Sequence, residues 1–220
     1  MKFAFLLYED VEPIDLAAIG VVSMAKRVVP GLEYLTVAAS PGLQRMANGL
    51  RVAADHGFDD CPPFDVLIVP GGPGWARASE DAAIRDFLRR RGDGALLLSL
   101  CTGAMLLAAS GLLDGRMATT KCEVRAPEVS PLSLLARDHP RIDARHALMV
   151  DSGTVLTGGG VSLCIDAMLH LIATRIGAAE AAEVARIIEY GAAWEANRAR
   201  LPTLLASSDQ PRVCPSATWR

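Results

Sequence analysis

The sequence predicts an α/β domain built on a mostly parallel sheet with helices on both faces. Short apolar runs alternate with longer amphipathic stretches, the pattern that parallel strands and their crossover helices require. The runs are predominantly apolar and do not alternate regularly with polar residues, so their strands are expected to be buried on both faces. At 220 residues, 51% hydrophobic and 21% charged, the chain can bury one substantial core and lies far from the composition of disordered chains.

In chain order, residues 3–8 read as the first strand, and Pro13 opens a helix through residue 19, its fixed φ suiting the first helical turn. Residues 34–39 and 66–69 follow as strands, with Val52-Ala53-Ala54 between them as a short strand or hairpin outside the main sheet. Ser79-Glu80-Asp81-Ala82 opens another helix, with Ser79 as cap and acids in the first turn, where the helix dipole favours them. Residues 95–100 form a strand that feeds a helix over 102–109. Residues 142–150 read as a second strand or hairpin outside the sheet, 155–157 as a strand, and 161–176 and 178–193 as helices. The domain is expected to span residues 1–190. Residues 191–220, in which Pro202, Pro211 and Pro215 interrupt a weakly periodic segment, are expected to form an extension packing on the domain or on a partner subunit.

Composition excludes several classes. A net charge of -3 without a basic block leaves no electrostatic footprint for nucleic acid or an anionic membrane. The uncharged stretch over 95–113 is broken by Ser99-Leu100-Cys101-Thr102-Gly103, which fits a buried strand and helix and not a membrane span. The N-terminal apolar run is too short for a signal peptide and turns acidic at Glu9-Asp10, so a cytoplasmic location is expected. The cysteines, at 61, 101, 122, 164 and 214, are odd in number and lack a C-x-x-C pair, so their spacing suggests neither a disulfide framework nor a zinc site. Neither a metal nor another cofactor is expected.

Ligands of open parallel sheets bind at the carboxyl ends of the strands. Three such ends carry glycine or cysteine: Pro70-Gly71-Gly72 after residues 66–69, Cys101-Thr102-Gly103 after 95–100, and Gly158-Gly159-Gly160 after 155–157. Cys101 occupies the sharp strand-to-helix turn of a nucleophile elbow, where helix amides are expected to lower its thiol pKa. The Gly72 and Thr102 amides are placed to form an oxyanion-type hole over Cys101. Asp15, near the first strand's end, is an ordinary helix N-terminal acid unless it faces the thiolate. Beside a thiolate, like-charge repulsion would raise its pKa until it holds a proton. Gly71, Lys121 and Gly159 are candidate pocket residues.

These residues carry a family resemblance. Ile14-Asp15-Leu16, Ile68-Val69-Pro70-Gly71-Gly72, Leu100-Cys101-Thr102-Gly103-Ala104, the run from Ala109-Ser110-Gly111 to Asp114-Gly115-Arg116, Ala118-Thr119-Thr120, and Thr157-Gly158-Gly159-Gly160-Val161 with Ile165-Asp166 occur in order. In these motifs the chain resembles the ThiJ/PfpI superfamily, which is class I glutamine-amidotransferase-like, over roughly residues 1–190. Within it the motifs, with Ile188-Glu189-Tyr190, are most similar to isonitrile hydratases and to the ligand-binding halves of certain transcription regulators. The resemblance implies a flavodoxin-like three-layer sandwich, a homodimer, and cofactor-free cysteine chemistry on a small molecule. Cys101 would be the nucleophile, Asp15 its proton carrier, and Thr102 a catalytic partner. One position departs from the family pattern: Lys121 and Cys122 follow the Thr-Thr pair where many members place His. The activity expected is hydration of an isonitrile. Glyoxalase- or deglycase-like chemistry on α-oxoaldehydes and a non-enzymatic cysteine redox or ligand sensor are the alternatives.

Overall fold

A computed structural model describes residues 1–206. The chain enters through strand β1 (Lys2–Leu6), a 3-10 turn at Pro13–Leu16, helix α1 (Ala17–Ala25) and β2 (Glu33–Val37). A hairpin, β3 (Gly42–Arg45) and β4 (Arg51–Ala54), precedes β5 (Val66–Val69), α2 (Trp75–Glu80), α3 (Ala82–Gly92), β6 (Leu96–Ser99) and α4 (Gly103–Ala109). Next come β7 (Met117–Ala118), α5 (Pro131–Asp138), β8 (Asp143–Ala144), β9 (Met149–Asp151) and β10 (Val155–Gly158). Helices α6 (Leu163–Arg175), α7 (Ala178–Ile187) and α8 (Gly191–Arg200) lead to β11 (Thr203–Leu205).

Seven strands form one sheet in the order β11-β9-β10-β6-β5-β1-β2. The run from β10 to β2 is parallel, and β9 lies antiparallel to β10. Continuous apolar strands place alternate residues in two cores, as the period of two demands. Ala4, Leu6, Leu67, Val69 and Leu97 face the core under α3 and α4, where Phe58 and Phe87 stack with centroids 4.3 Å apart. Phe3, Phe5, Val66, Ile68, Leu98 and Leu156 face the core under α1, α6 and α7. Helices therefore cover both faces of a mostly parallel sheet, a flavodoxin-like arrangement.

Several local expectations are corrected. Ser79 lies inside α2 and is not a cap; Asp81, in extended conformation, caps α3 by accepting from the Ala83 amide at 2.8 Å. The stretch at 13–19 is a 3-10 turn followed by α1 instead of one helix. The helix expected over 178–193 breaks where Glu189 takes a φ of 56°, which separates α7 from α8. Of the segment 142–150, β8 pairs with β7 outside the main sheet, whereas β9 joins the main sheet. Val52-Ala53-Ala54 does form a hairpin strand apart from the main sheet. Residues 191–205 supply α8 and the edge strand β11, which runs parallel to β9. Pro211, Cys214 and Pro215 lie outside the described residues. Among the described residues no helix is long and apolar enough to cross a membrane.

Because β10, β6, β5 and β1 are neighbours, their carboxyl ends bring residues near 160, 101, 71 and 15 to one edge of the sheet. That edge holds the candidate site.

Candidate active site

Cys101 sits at the end of β6 with a φ of 51°, a left-handed conformation that L-residues avoid. The surroundings hold it there. Its amide donates to Gly159 O at 3.1 Å, and the Thr120 hydroxyl donates to its carbonyl at 2.7 Å. Gly103 makes the turn possible, since a Cβ there would lie 1.9 Å from Val69 O. The elbow is thus a close approach of two strand ends, and Cys101 is only 2% exposed.

Burial raises the Cys101 thiol above its usual range, and the carboxyl of Asp15 adds to the rise. The Thr102 amide, Lys121 and the Thr102 hydroxyl act in the opposite direction without overcoming it. This corrects the expectation of a thiol with a lowered pKa. The seven-residue helix α4 has a weak dipole end to set against a dry environment.

Asp15 lies in the 3-10 turn and is 1% exposed. Its Oδ2 accepts from the Gly71 amide at 2.7 Å, while Oδ1 is buried with no hydrogen-bond partner. Burial pushes its pKa up to about 7; the Gly71 amide and Lys121 pull against this and Glu12 adds to it. Desolvation, and not repulsion from a thiolate, is therefore the leading cause.

The glycines act as clearances. A Cβ on Gly71 would lie 2.4 Å from the Thr102 amide and hydroxyl, and one on Gly72 would lie 2.3 Å from Asp10 O and the Glu12 amide. The Gly72 amide is not free to line an oxyanion hole, because it donates to Thr102 Oγ1 at 2.9 Å. Of the two expected donors, the Thr102 amide is the one that faces the sulfur. Gly159 contributes its carbonyl to the Cys101 amide, whereas the residue against the thiol is Gly160. A Cβ there would lie 2.8 Å from Cys101 Sγ and 3.0 Å from Lys121 Cβ. Lys121 flanks the thiol with its stem, and its ammonium donates to the Glu123 carbonyl.

Two groups escaped the sequence reading. Tyr8 is buried and donates to Pro70 O at 2.9 Å; its pKa is raised by burial and by Asp15 and Cys101. Cys164 points its thiol at Ile14 O, 3.4 Å away, and is pushed up to about 12 by burial and by Asp15. Tyr8 ends the first apolar run, so the strand-end rule contains a signal for it. Cys164 lies in the first turn of α6, and nothing local marks it. The cluster can hold one mobile proton beside a sulfur in a water-poor site, with little tolerance for two negative charges.

Residues 1–174 match the model of the DJ-1/PfpI family. The chain is 30% identical over 207 residues to an isonitrile hydratase of Pseudomonas putida, a match covering 88% of this chain and 80% of that protein. It is 31% identical over 112 residues to the glutathione-independent glyoxalase DJR-1.2 of Caenorhabditis elegans, covering 50% of this chain and 58% of that one. Among solved structures, a THiJ/PfpI family protein from Pseudomonas syringae superposes with a TM-score of 0.74 at 27% identity, over 86% of this chain and 74% of its own. The elbow cysteine, the facing acid and the strands from β1 to β10 thus lie within a segment that a single family model spans, and the chain belongs to the DJ-1/PfpI family.

Proposed function

We propose that the protein is a cysteine-dependent hydratase of small molecules that converts an isonitrile and water into an N-substituted formamide. The observation that carries this reading is Asp15: a buried carboxyl with one oxygen fixed by the Gly71 amide and the other unpartnered, in the same dry cluster as the Cys101 thiol. The similarity to an isonitrile hydratase over most of both chains supports the substrate class.

The Cys101 sulfur adds to the terminal isonitrile carbon, and the thiol proton reaches that carbon through Asp15, giving a thioimidate. Water then adds to the same carbon, with Asp15 taking a proton from the water and delivering it to nitrogen. Collapse of this adduct breaks the carbon–sulfur bond, releases the formamide, and returns the sulfur and one proton to Cys101. Substrate plus water equals product, so no electrons are exchanged. The Thr102 amide and hydroxyl stabilise negative charge on sulfur at attack and at release.

A second reading is supported by the glyoxalase relative. In it the same thiol forms a hemithioacetal with an α-oxoaldehyde, and Asp15 moves a proton between its carbons. A panel of an isonitrile and methylglyoxal, run on wild type, Cys101→Ala and Asp15→Asn, separates the readings. Formamide production that disappears in Cys101→Ala is the expected result. Turnover of methylglyoxal alone would select the second reading, and turnover of neither would leave cysteine-based sensing. We also propose a homodimer on the family resemblance, and light scattering should give the mass of two chains at micromolar concentration.

A further inference from the structure

Beyond Lys121 the chain brings together three groups that the hydratase reading does not use. The thiol of Cys122, a carboxylate oxygen of Glu123 and a ring nitrogen of His146 all lie within 4.8 Å of one another. We propose that these residues form a binding site for a zinc-class divalent ion. The ligand set decides the class. Calcium and magnesium take oxygen ligands, whereas a thiolate, an imidazole and a carboxylate together suit zinc and its borderline-soft neighbours. Three protein ligands leave a fourth position for water or a small anion, as in open zinc sites.

The backbone assembles the group from positions more than twenty residues apart. Strands β7 and β8 run parallel with Ala118 opposite Ala144, and the Arg145 amide donates to Ala118 O at 2.8 Å. The two segments leaving these strands stay together, since the Thr119 hydroxyl donates to Ala147 O at 3.3 Å. His146 is therefore held between two tethered residues. On the other segment, Thr120 is bound to Cys101 O, and Lys121 O accepts from the Leu132 amide at 3.1 Å, so Cys122 follows an anchored stretch. Tetrahedral zinc with bonds of about 2.0–2.3 Å needs ligand atoms roughly 3.3–3.8 Å apart, so side-chain rotation of about an ångström closes the site. Cys122 is half-buried, and Glu123 and His146 are exposed, which leaves the position open to an ion from solvent.

Charge permits the binding. The thiolate and the carboxylate offset the two positive charges of the ion. Of the nearby cations, Arg145 is paired with Asp143 at 2.8 Å, and the Lys121 ammonium stays beside the site but is held on the Glu123 backbone carbonyl, a different group from the carboxylate that would ligate the ion. Cysteine spacing could not show this site, because only one of its ligands is a cysteine.

Titration of metal-stripped full-length protein with Co²⁺ tests the proposal. One equivalent should give a thiolate-to-cobalt charge-transfer band and d–d bands of tetrahedral intensity, both displaced by Zn²⁺. Cys122→Ser and His146→Gln should each weaken binding by more than the about 10- to 100-fold that loss of an outer-shell partner costs. Cys101→Ala should leave the spectrum unchanged, which keeps the outcome independent of the hydratase reading. A missing thiolate band, a band that persists in Cys122→Ser, undiminished affinity in His146→Gln, or loss of the band in Cys101→Ala would each overturn the site. If a variant fails to fold, wild type still decides: Zn²⁺ must protect Cys122 from iodoacetamide, read by peptide mass, and full labelling of Cys122 in saturating Zn²⁺ refutes the proposal.

Discussion

Asp15 and Asp151 are both buried carboxyls on the same domain, yet their surroundings move them in opposite directions. At Asp151, burial acts to raise the pKa, but the His170 ring nitrogen at 3.1 Å, the Gly153 amide at 2.8 Å and the Arg175 guanidinium at 3.0 Å outweigh it and hold the carboxylate below its usual range. Asp15 has one backbone N–H and an orphan oxygen, and its pKa is raised to about 7. Asp166 shows that neutral donors, even with the charge of Arg200 acting alongside them, do not reverse burial. It accepts from the Tyr190 hydroxyl at 2.8 Å and from Asn197 at 3.1 Å and is still raised. A buried carboxylate whose acceptors are taken up by cationic and amide donors clamps structure together. One left under-satisfied beside a thiol is fit to move a proton.

The largest expected effect separates the two acids by function. Asp15→Asn should lower turnover by about 10² to 10⁴, the usual worth of general acid–base catalysis. Alkylation of Cys101 by iodoacetamide should persist in that variant, and equal turnover in both proteins would remove Asp15 from the mechanism.

The next effect is in stability against pH. For Asp15 the folded pKa is the higher one, so its contribution is fully present below about pH 4 and is lost as pH rises to about 7. Urea unfolding should therefore show Asp15→Asn gaining on wild type across that window, by at most about 1.4 kcal/mol per pH unit. Asp151 is depressed, so its contribution is present above the ordinary carboxylate pKa and is lost as pH falls below it. Asp151→Asn should flatten the acid limb and leave the neutral limb unchanged; a flattened neutral limb would contradict the comparison.

At neutral pH, Asp151→Ala removes the carboxylate that His170 and Arg175 share, leaving Arg175 its bond to the Gly153 carbonyl at 3.0 Å, and should destabilise by about 1–3 kcal/mol, while turnover stays at the wild-type level. A turnover loss as large as that of Asp15→Asn would show that the distinction between clamp and proton carrier is wrong. The smallest effect is on thiol titration. Alkylation of Cys101 should still be accelerating past about pH 8.5, the free-thiol value, and the Asp15→Asn profile should move to lower pH because one source of the rise is gone. A plateau below that value in wild type would mean that the elbow amides dominate burial.

By itself the sequence determined what depends on contiguous residues. The apolar runs at 66–69 and 95–100 mark buried strands because their apolar residues supply both cores, and Cys101 before Gly103 marks an elbow because the turn needs both positions. Asp15 was legible through a family motif and not through its immediate neighbours, which equally describe a helix N-terminal acid. Only the tertiary structure decided the rest. It put β9 and β11 into the sheet, gave the cap of α3 to Asp81, and turned the Gly72 amide toward Thr102. It also set Gly160 against the thiol and joined Cys122 and Glu123 to His146. The direction in which Cys101 and Asp15 titrate belongs to this second group. Local sequence supplies the dipoles and the nearby charges, but the amount of water removed from a side chain depends on strand order and on the segments that close over it, which distant parts of the chain contribute.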